Sequence, residues 1–165
     1  MRLFLSCLLT LLFFVAVAAA DELKGKIQAV DAEAATIDVF GVQVNARAAE
    51  IKNDADKAVN LSALAVGDRV GIEGAFTDKA RMSARKIAED FSGYDEIKGK
   101  ITSADAVAGE IIISGVKVKV RPDTWLEGPQ DLRVAFEELR PSVYAGCEGV
   151  FTGALEFNAK KIIIE

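Results

Sequence analysis

The sequence predicts a mostly β protein in which one unit is used twice, and three observations carry that reading. Asp21-Glu22-Leu23-Lys24-Gly25-Lys26-Ile27 returns 74 residues later as Asp95-Glu96-Ile97-Lys98-Gly99-Lys100-Ile101. Over residues 21–47 against 95–121, 14 of 27 positions are identical without a gap. Residues 61–90 then align with 136–165 at an offset of 75, so that Leu64, Gly71, Glu73, Gly74 and Phe76 recur as Leu139, Gly146, Glu148, Gly149 and Phe151. Within each unit, apolar and polar residues alternate, the period-two signature of half-buried strands. Self-similarity at a fixed spacing is read first because it decides the architecture.

In chain order, Met1 to Ala20 reads as a secretory signal peptide: one positive charge (Arg2), an apolar run from Leu3 to Val17, then Ala18-Ala19-Ala20. Cleavage after Ala20 leaves a chain with no further run long enough to span a membrane; the alternative is a retained anchor. A first strand follows, in which Leu23, Gly25, Ile27 and Ala29 alternate with Lys24, Lys26 and Gln28. Residues 37–44 read as a hairpin turning at Phe40-Gly41, which pairs Val39 with Val42 and Ile37 with Val44 on one face and Asp38 with Gln43 on the other. A turn at Ser114-Gly115 gives the second unit the same register, and a one-residue slip would turn each apolar set outward. Glycine at the second turn position suits the positive φ of a type I′ turn.

Asn60 to Ala65 reads as a short helical segment capped by Asn60, and Leu132 to Leu139 as its counterpart, stopped by Pro141. A fourth strand spans Arg69 to Phe76. A fifth runs from Met82 to Ala88, matched by Phe157 to Ile164. The apolar spacing switches from two to three between Ala84 and Ile87, and again between Ala159 and Ile162, which reads as a β-bulge. Five strands with a helix after the third is the order of an OB-fold. The expected architecture is therefore two tandem five-stranded OB-like barrels, each with a short helix between strands three and four. The expected segments are 1–20 (signal peptide), 21–92 (first OB-like repeat) and 93–165 (second OB-like repeat). Phe91 and Tyr94 in the short connector are expected to bury against both units and fix a two-barrel rod.

The motifs Lys-Gly-Lys-Ile, apolar-x-Gly-Val-x-Val, Val-Gly-Asp-Arg-Val-Gly-Ile-Glu-Gly and Ala-Arg-Lys-Ile together resemble a widespread exported bacterial domain of unknown function. The resemblance implies small OB-like barrels, often in tandem behind a signal peptide. It carries no catalytic residues onto this chain. The second unit departs from the pattern where Gly67-Asp68-Arg69-Val70 becomes Ser142-Val143-Tyr144-Ala145.

Composition narrows the function classes. From Asp21 onward there are 19 Lys+Arg (20 less Arg2) against 25 Asp+Glu, a formal charge of −6, without the basic footprint of a nucleic-acid binder. There is no histidine, which removes the commonest general base and metal ligand. Cys147 is the one cysteine after the signal segment and sits where the first unit has Ile72, so it reads as a buried thiol, the alternative being an interchain disulfide. Asn53-Asp54-Ala55-Asp56 offers oxygen ligands but lacks the glycine and distal glutamate of an EF-hand loop. No catalytic residue, metal ligand or cofactor is expected.

The best binding candidates are outward lysines: Lys24 and Lys26, recurring as Lys98 and Lys100, with Lys117 and Lys119 in the second unit only. OB barrels bind oligosaccharides or single strands around strands two and three, usually by stacking on aromatics; Phe40, Trp125 and Tyr144 are the candidate platforms. The opposing reading is that the lysines guard strand edges and pair with carboxylates. The expectation is an exported, periplasmic or extracellular, non-enzymatic envelope module whose partner is an unknown envelope protein or glycan, with no nucleic acid and no membrane span after cleavage. One alternative is a binding protein for an anionic glycan or other polyanion through those lysines. A second is a carboxylate-based hydrolase.

Overall fold

The computed structural model describes residues 20–165; the expected signal peptide, Ala20 apart, lies outside the described residues. The first repeat contains β1 (Asp21–Asp31), β2 (Thr36–Val39), β3 (Val42–Asn45), β4 (Glu50–Lys52), β5 (Arg69–Asp78) and β6 (Arg81–Glu89). The second contains β7 (Asp95–Asp105), β8 (Glu110–Ile113), β9 (Val116–Lys119), β10 (Trp125–Glu127), β11 (Tyr144–Gly153) and β12 (Glu156–Ile164).

The hairpin registers follow from the alternation. Val39 faces Val42 and Ile37 faces Val44; Ile113 faces Val116 and Ile111 faces Val118, and all eight side chains are at most 1% exposed. Both turn residues have positive φ, 50° and 87° at Phe40-Gly41 and 49° and 92° at Ser114-Gly115, as a type I′ turn requires. Bulges occur in β6 at Arg85 and in β12 at Lys160, where the register with β5 and β11 skips one residue. They depend on Gly74 and Gly149: a Cβ at either would lie 2.1 Å from the backbone oxygen of Ser83 or Asn158. Tyr144 opens β11 as Arg69 opens β5, so the changed entry motif leaves the strand intact.

The expectation of two tandem five-stranded OB-like barrels, each with a short helix, is overturned. The twelve strands form one continuous sheet that winds as a β-solenoid of about three turns. No α-helix occurs among the described residues. Where helices were expected there are 3₁₀ turns of three residues, Leu61–Ala63 and Phe136–Glu138, and the Asn60 side chain makes no cap hydrogen bond. Isolated helices shorter than about 12 residues do not support themselves, and neither segment has a buried residue to anchor one. The preceding chain instead adds a sixth strand to each repeat: β4 runs parallel to β6, and β10 parallel to β12.

What joins the repeats is also different. Phe91 is 77% exposed, so the connector does not bury as expected. The junction is β1 against β7, antiparallel, with Glu22 opposite Lys98, Leu23 opposite Ile97 and Lys24 opposite Glu96. β5 runs from β1 to β6, and β11 from β7 to β12. The core is a single apolar cluster that extends through both repeats, from Leu23, Ile27 and Ile72 to Ile97, Phe157 and Ile162. The two ends of the sheet are covered by their own return loops: Val59 N–H bonds Ile51 O at 2.9 Å beside β4, and Val134 N–H bonds Leu126 O at 3.1 Å beside β10. Satisfied edges of this kind resist pairing with another chain.

Candidate functional site

The β1–β7 junction obeys a local two-fold relation. Leu23 and Ile97 are repeat equivalents and face each other, so each strand meets its own copy running the other way. The contacts around it are exchanged reciprocally. Asp21 accepts from Phe76 N–H at 2.7 Å and from the Tyr144 hydroxyl at 2.8 Å. Asp95 accepts from Phe151 N–H at 2.8 Å and from Arg69 Nη1 at 2.8 Å. Arg69 and Tyr144 are equivalents at the offset of 75, so each repeat sends the first residue of a strand across to the other repeat's aspartate. The hairpin tips exchange too: Ala80 N–H bonds Ser114 O, and Leu155 N–H bonds Phe40 O, both at 2.7 Å.

Charges on the outer face of this junction are spent within it. Lys24 is ion-paired with Glu96, and its ammonium lies 5.6 Å from the Tyr94 ring centroid. Burial disfavours the Lys24 cation, but the Glu96 hydrogen bond and charge outweigh it and raise its pKa above the ordinary 10.5. Lys98 pairs with Glu165 at 2.5 Å and Glu22 at 4.0 Å, with the Tyr144 ring centroid at 5.9 Å. Its pKa is raised chiefly by the Glu165 hydrogen bond. The hollow beside Lys24 is lined by Glu22, Glu73, Glu89 and Asp90 against Lys24 and Lys86, an acidic balance that repels a polyanion.

The six expected lysines therefore separate. Lys24 and Lys98 are brought together as structural ion pairs. Lys26 and Lys100 are exposed and point outward at opposite ends of the junction, with no ion pair among the described residues. Lys117 approaches Glu110 at 3.8 Å, and Lys119 lies opposite Asn158 on β12. Of the aromatic platforms, Phe40 is stacked on Phe151 (centroids 4.8 Å apart, planes 10°) and the Tyr144 hydroxyl is held by Asp21. Trp125 stays 44% exposed, with the Arg133 guanidinium 5.2 Å from its ring centroid.

The junction locks were not read from the sequence, although a signal was there. Glu-x-Lys at 22 and 24, repeated at 96 and 98, is self-complementary when two copies pair antiparallel.

Cys147 is 0% exposed, and burial pushes its thiol pKa well up, which keeps it protonated and inert. Among the described residues no group of three or more Asp, Glu or Cys side chains is arranged to hold a metal ion. In the Asn53–Asp56 loop, Asn53 Oδ1 accepts from the N–H groups of Ala55 and Lys57, and Asp56 pairs with Lys52 at 2.9 Å.

A domain of unknown function (DUF5666) is found by its family model at residues 24–88, which is most of the first repeat. No curated protein and no solved structure matches the chain.

Proposed function

We propose that the protein is an exported, non-enzymatic envelope module carrying two copies of the domain of unknown function, the second over residues 98–163, joined into one rigid body that serves interaction or support. The observation that carries this reading is the reciprocal exchange of Arg69 and Tyr144 onto Asp95 and Asp21. It commits the carboxylates and cations nearest the centre of the molecule to holding the repeats together. A sequence without histidine and with its one cysteine beyond residue 20 buried supports a non-catalytic role. The Met1–Ala20 pattern supports export.

Expression of the whole chain in a bacterial host, followed by fractionation and N-terminal sequencing, tests the export half of the proposal. The expected product is periplasmic and begins at Asp21. A cytoplasmic product still beginning at residue 1 contradicts it. For the rigid module, calorimetry is expected to give one cooperative transition for both repeats; two separable transitions contradict it.

A further inference from the structure

We propose that the outer face of β9 and β12 is a binding site for a hydroxylated anion, namely a uronate residue of an acidic polysaccharide. The inference stands apart from the export reading, since it concerns one face of the second repeat. A pocket of about 220 Å³ opens there, lined by Arg121, Asp123, Val150, Asn158, Ala159 and Lys160. Lys119 lies opposite Asn158 in the β9–β12 register.

Three features make this a built site. The first is the bulge in β12, which leaves Lys160 as the extra, exposed residue between Ala159 and Lys161. Its first-repeat equivalent, Arg85, is occupied by Glu73 at 2.9 Å, whereas Lys160 has no ion pair among the described residues. The second is the loop after β9. The Thr124 hydroxyl, 4% exposed with its residue, donates to Ala159 O at 2.9 Å and accepts from Arg121 N–H at 2.8 Å. That clamp fastens the Arg121 backbone beside β12, and its exposed side chain lines the pocket. The third is Asn158, whose Oδ1 is buried without a hydrogen-bond partner. Buried acceptors are nearly always paired, and rotation of this amide toward the pocket that Asn158 lines would give it a ligand hydroxyl.

The combination selects the ligand class. Lys119, Arg121 and Lys160 against Asp123, with Glu110 opposite Lys119 already approached by Lys117 at 3.8 Å, leave a net positive face on a chain whose charge after residue 20 is −6, so it attracts an anion locally. Sulfate or inorganic phosphate would use only the cations and would meet Asp123 unfavourably. A uronate carries a carboxylate for Arg121 and Lys160 and neighbouring hydroxyls that can donate to Asn158 Oδ1 and to Asp123. The pocket is of monosaccharide size. Trp125 pairs with Lys161, next to Lys160, but its indole N–H bonds Glu127 at 2.9 Å and Arg133 sits by its ring, so it is not part of the pocket lining.

Titration of the purified, isotope-labelled full chain with tetragalacturonate at low ionic strength, read by amide chemical shifts, tests the site. Saturable shifts at Arg121, Asn158 and Lys160 are expected, with affinity falling about tenfold or more in Lys160→Glu and in Arg121→Glu, each losing a charge-assisted contact. Lys24→Ala is expected to bind as the parent does. Asn158→Ala should weaken binding while its spectrum remains folded. Should it unfold, the two exposed charge reversals still decide. Absence of shifts at these amides overturns the proposal. Equal binding of maltotetraose, or of inorganic sulfate, also overturns it, because charge and hydroxyl would then not both be required.

Discussion

The two sides of the β1–β7 junction do the same job with different chemistry. On one side Arg69 bonds Asp95 at 2.8 Å, Asp90 at 3.0 Å and Tyr94 O at 2.5 Å. On the other, Tyr144 gives Asp21 a neutral hydroxyl at 2.8 Å, and Glu165, the equivalent of Asp90, turns to Lys98 instead. One half is locked by a partly buried ionic network, the other by a phenol and a more exposed ion pair. A repeat can thus diverge at a shared interface provided each aspartate keeps a donor, because the aspartate must also hold the N–H of Phe76 or Phe151. Leaving that carboxylate buried and unpaired would cost more than either partner contributes.

The largest expected effect comes from removing the ionic side. Asp95→Ala takes from Arg69 one of its two carboxylates, leaving it Asp90, and deprives the Phe151 N–H of its acceptor; the lost charge-assisted bond and the unpaired N–H together should cost about 3–5 kcal/mol in a denaturant titration. Asp21→Ala releases two neutral donors and should cost about 1–3 kcal/mol. Equal losses would erase the contrast. Next come the hairpin tips, where Gly115→Ala and Gly41→Ala both place a side chain at positive φ, at a cost of about 1–2 kcal/mol. Gly115 should be the more sensitive. Its Cβ would sit 3.0 Å from Ala80 N, the donor to Ser114 O, whereas that of Gly41 would meet the Ala154 and Leu155 side chains at 3.2 Å. Denaturation midpoints ordered the other way would contradict the tip exchange. Tyr144→Phe, which leaves Asp21 its Phe76 bond, should cost about 1 kcal/mol.

Smaller again is the pH response, and it differs in sign between the sides. Burial opposes ionisation of Asp90, but hydrogen bonds from Ser92 and Arg69 outweigh it and hold its pKa below the ordinary 3.8. Its stabilisation is therefore complete above pH 3.8 and lost as pH falls through the depressed value. Lys98 is raised above 10.5, so its stabilisation is complete below that and lost as pH rises through the raised value. Stability measured against pH should lose part of its acid-side slope in Asp90→Asn, Asp56 and Glu127 supplying the rest, and part of its alkaline slope in Lys98→Met. Unchanged slopes would contradict the assignment of these groups to the two sides.

What the sequence made legible was local. Hairpin register, type I′ turns and the bulges at Arg85 and Lys160 follow from neighbours in the chain, where alternation and glycine placement leave few options. The long-range pairing was not legible, because Glu22, Lys24, Glu96 and Lys98 look like a solvated face until the partner strand is known. The missing helices have a related cause. Leu61 and Leu64, or Phe136 and Leu139, sit three apart on a helical face, yet that spacing also fits a single 3₁₀ turn beside an extended strand. Of the site, the lysines were legible, but not which were already paired. The open acceptor at Asn158 and the Thr124 clamp depend on packing alone.

The most direct test of the reciprocal lock is a double-mutant cycle on stability between Arg69→Ala and Asp95→Ala, with Arg69→Ala and Asp21→Ala as the control pair. Coupling of about 1–3 kcal/mol is expected for the first pair and less than about 0.5 kcal/mol for the second. Coupling near zero between Arg69 and Asp95, or equal in the two pairs, would contradict it.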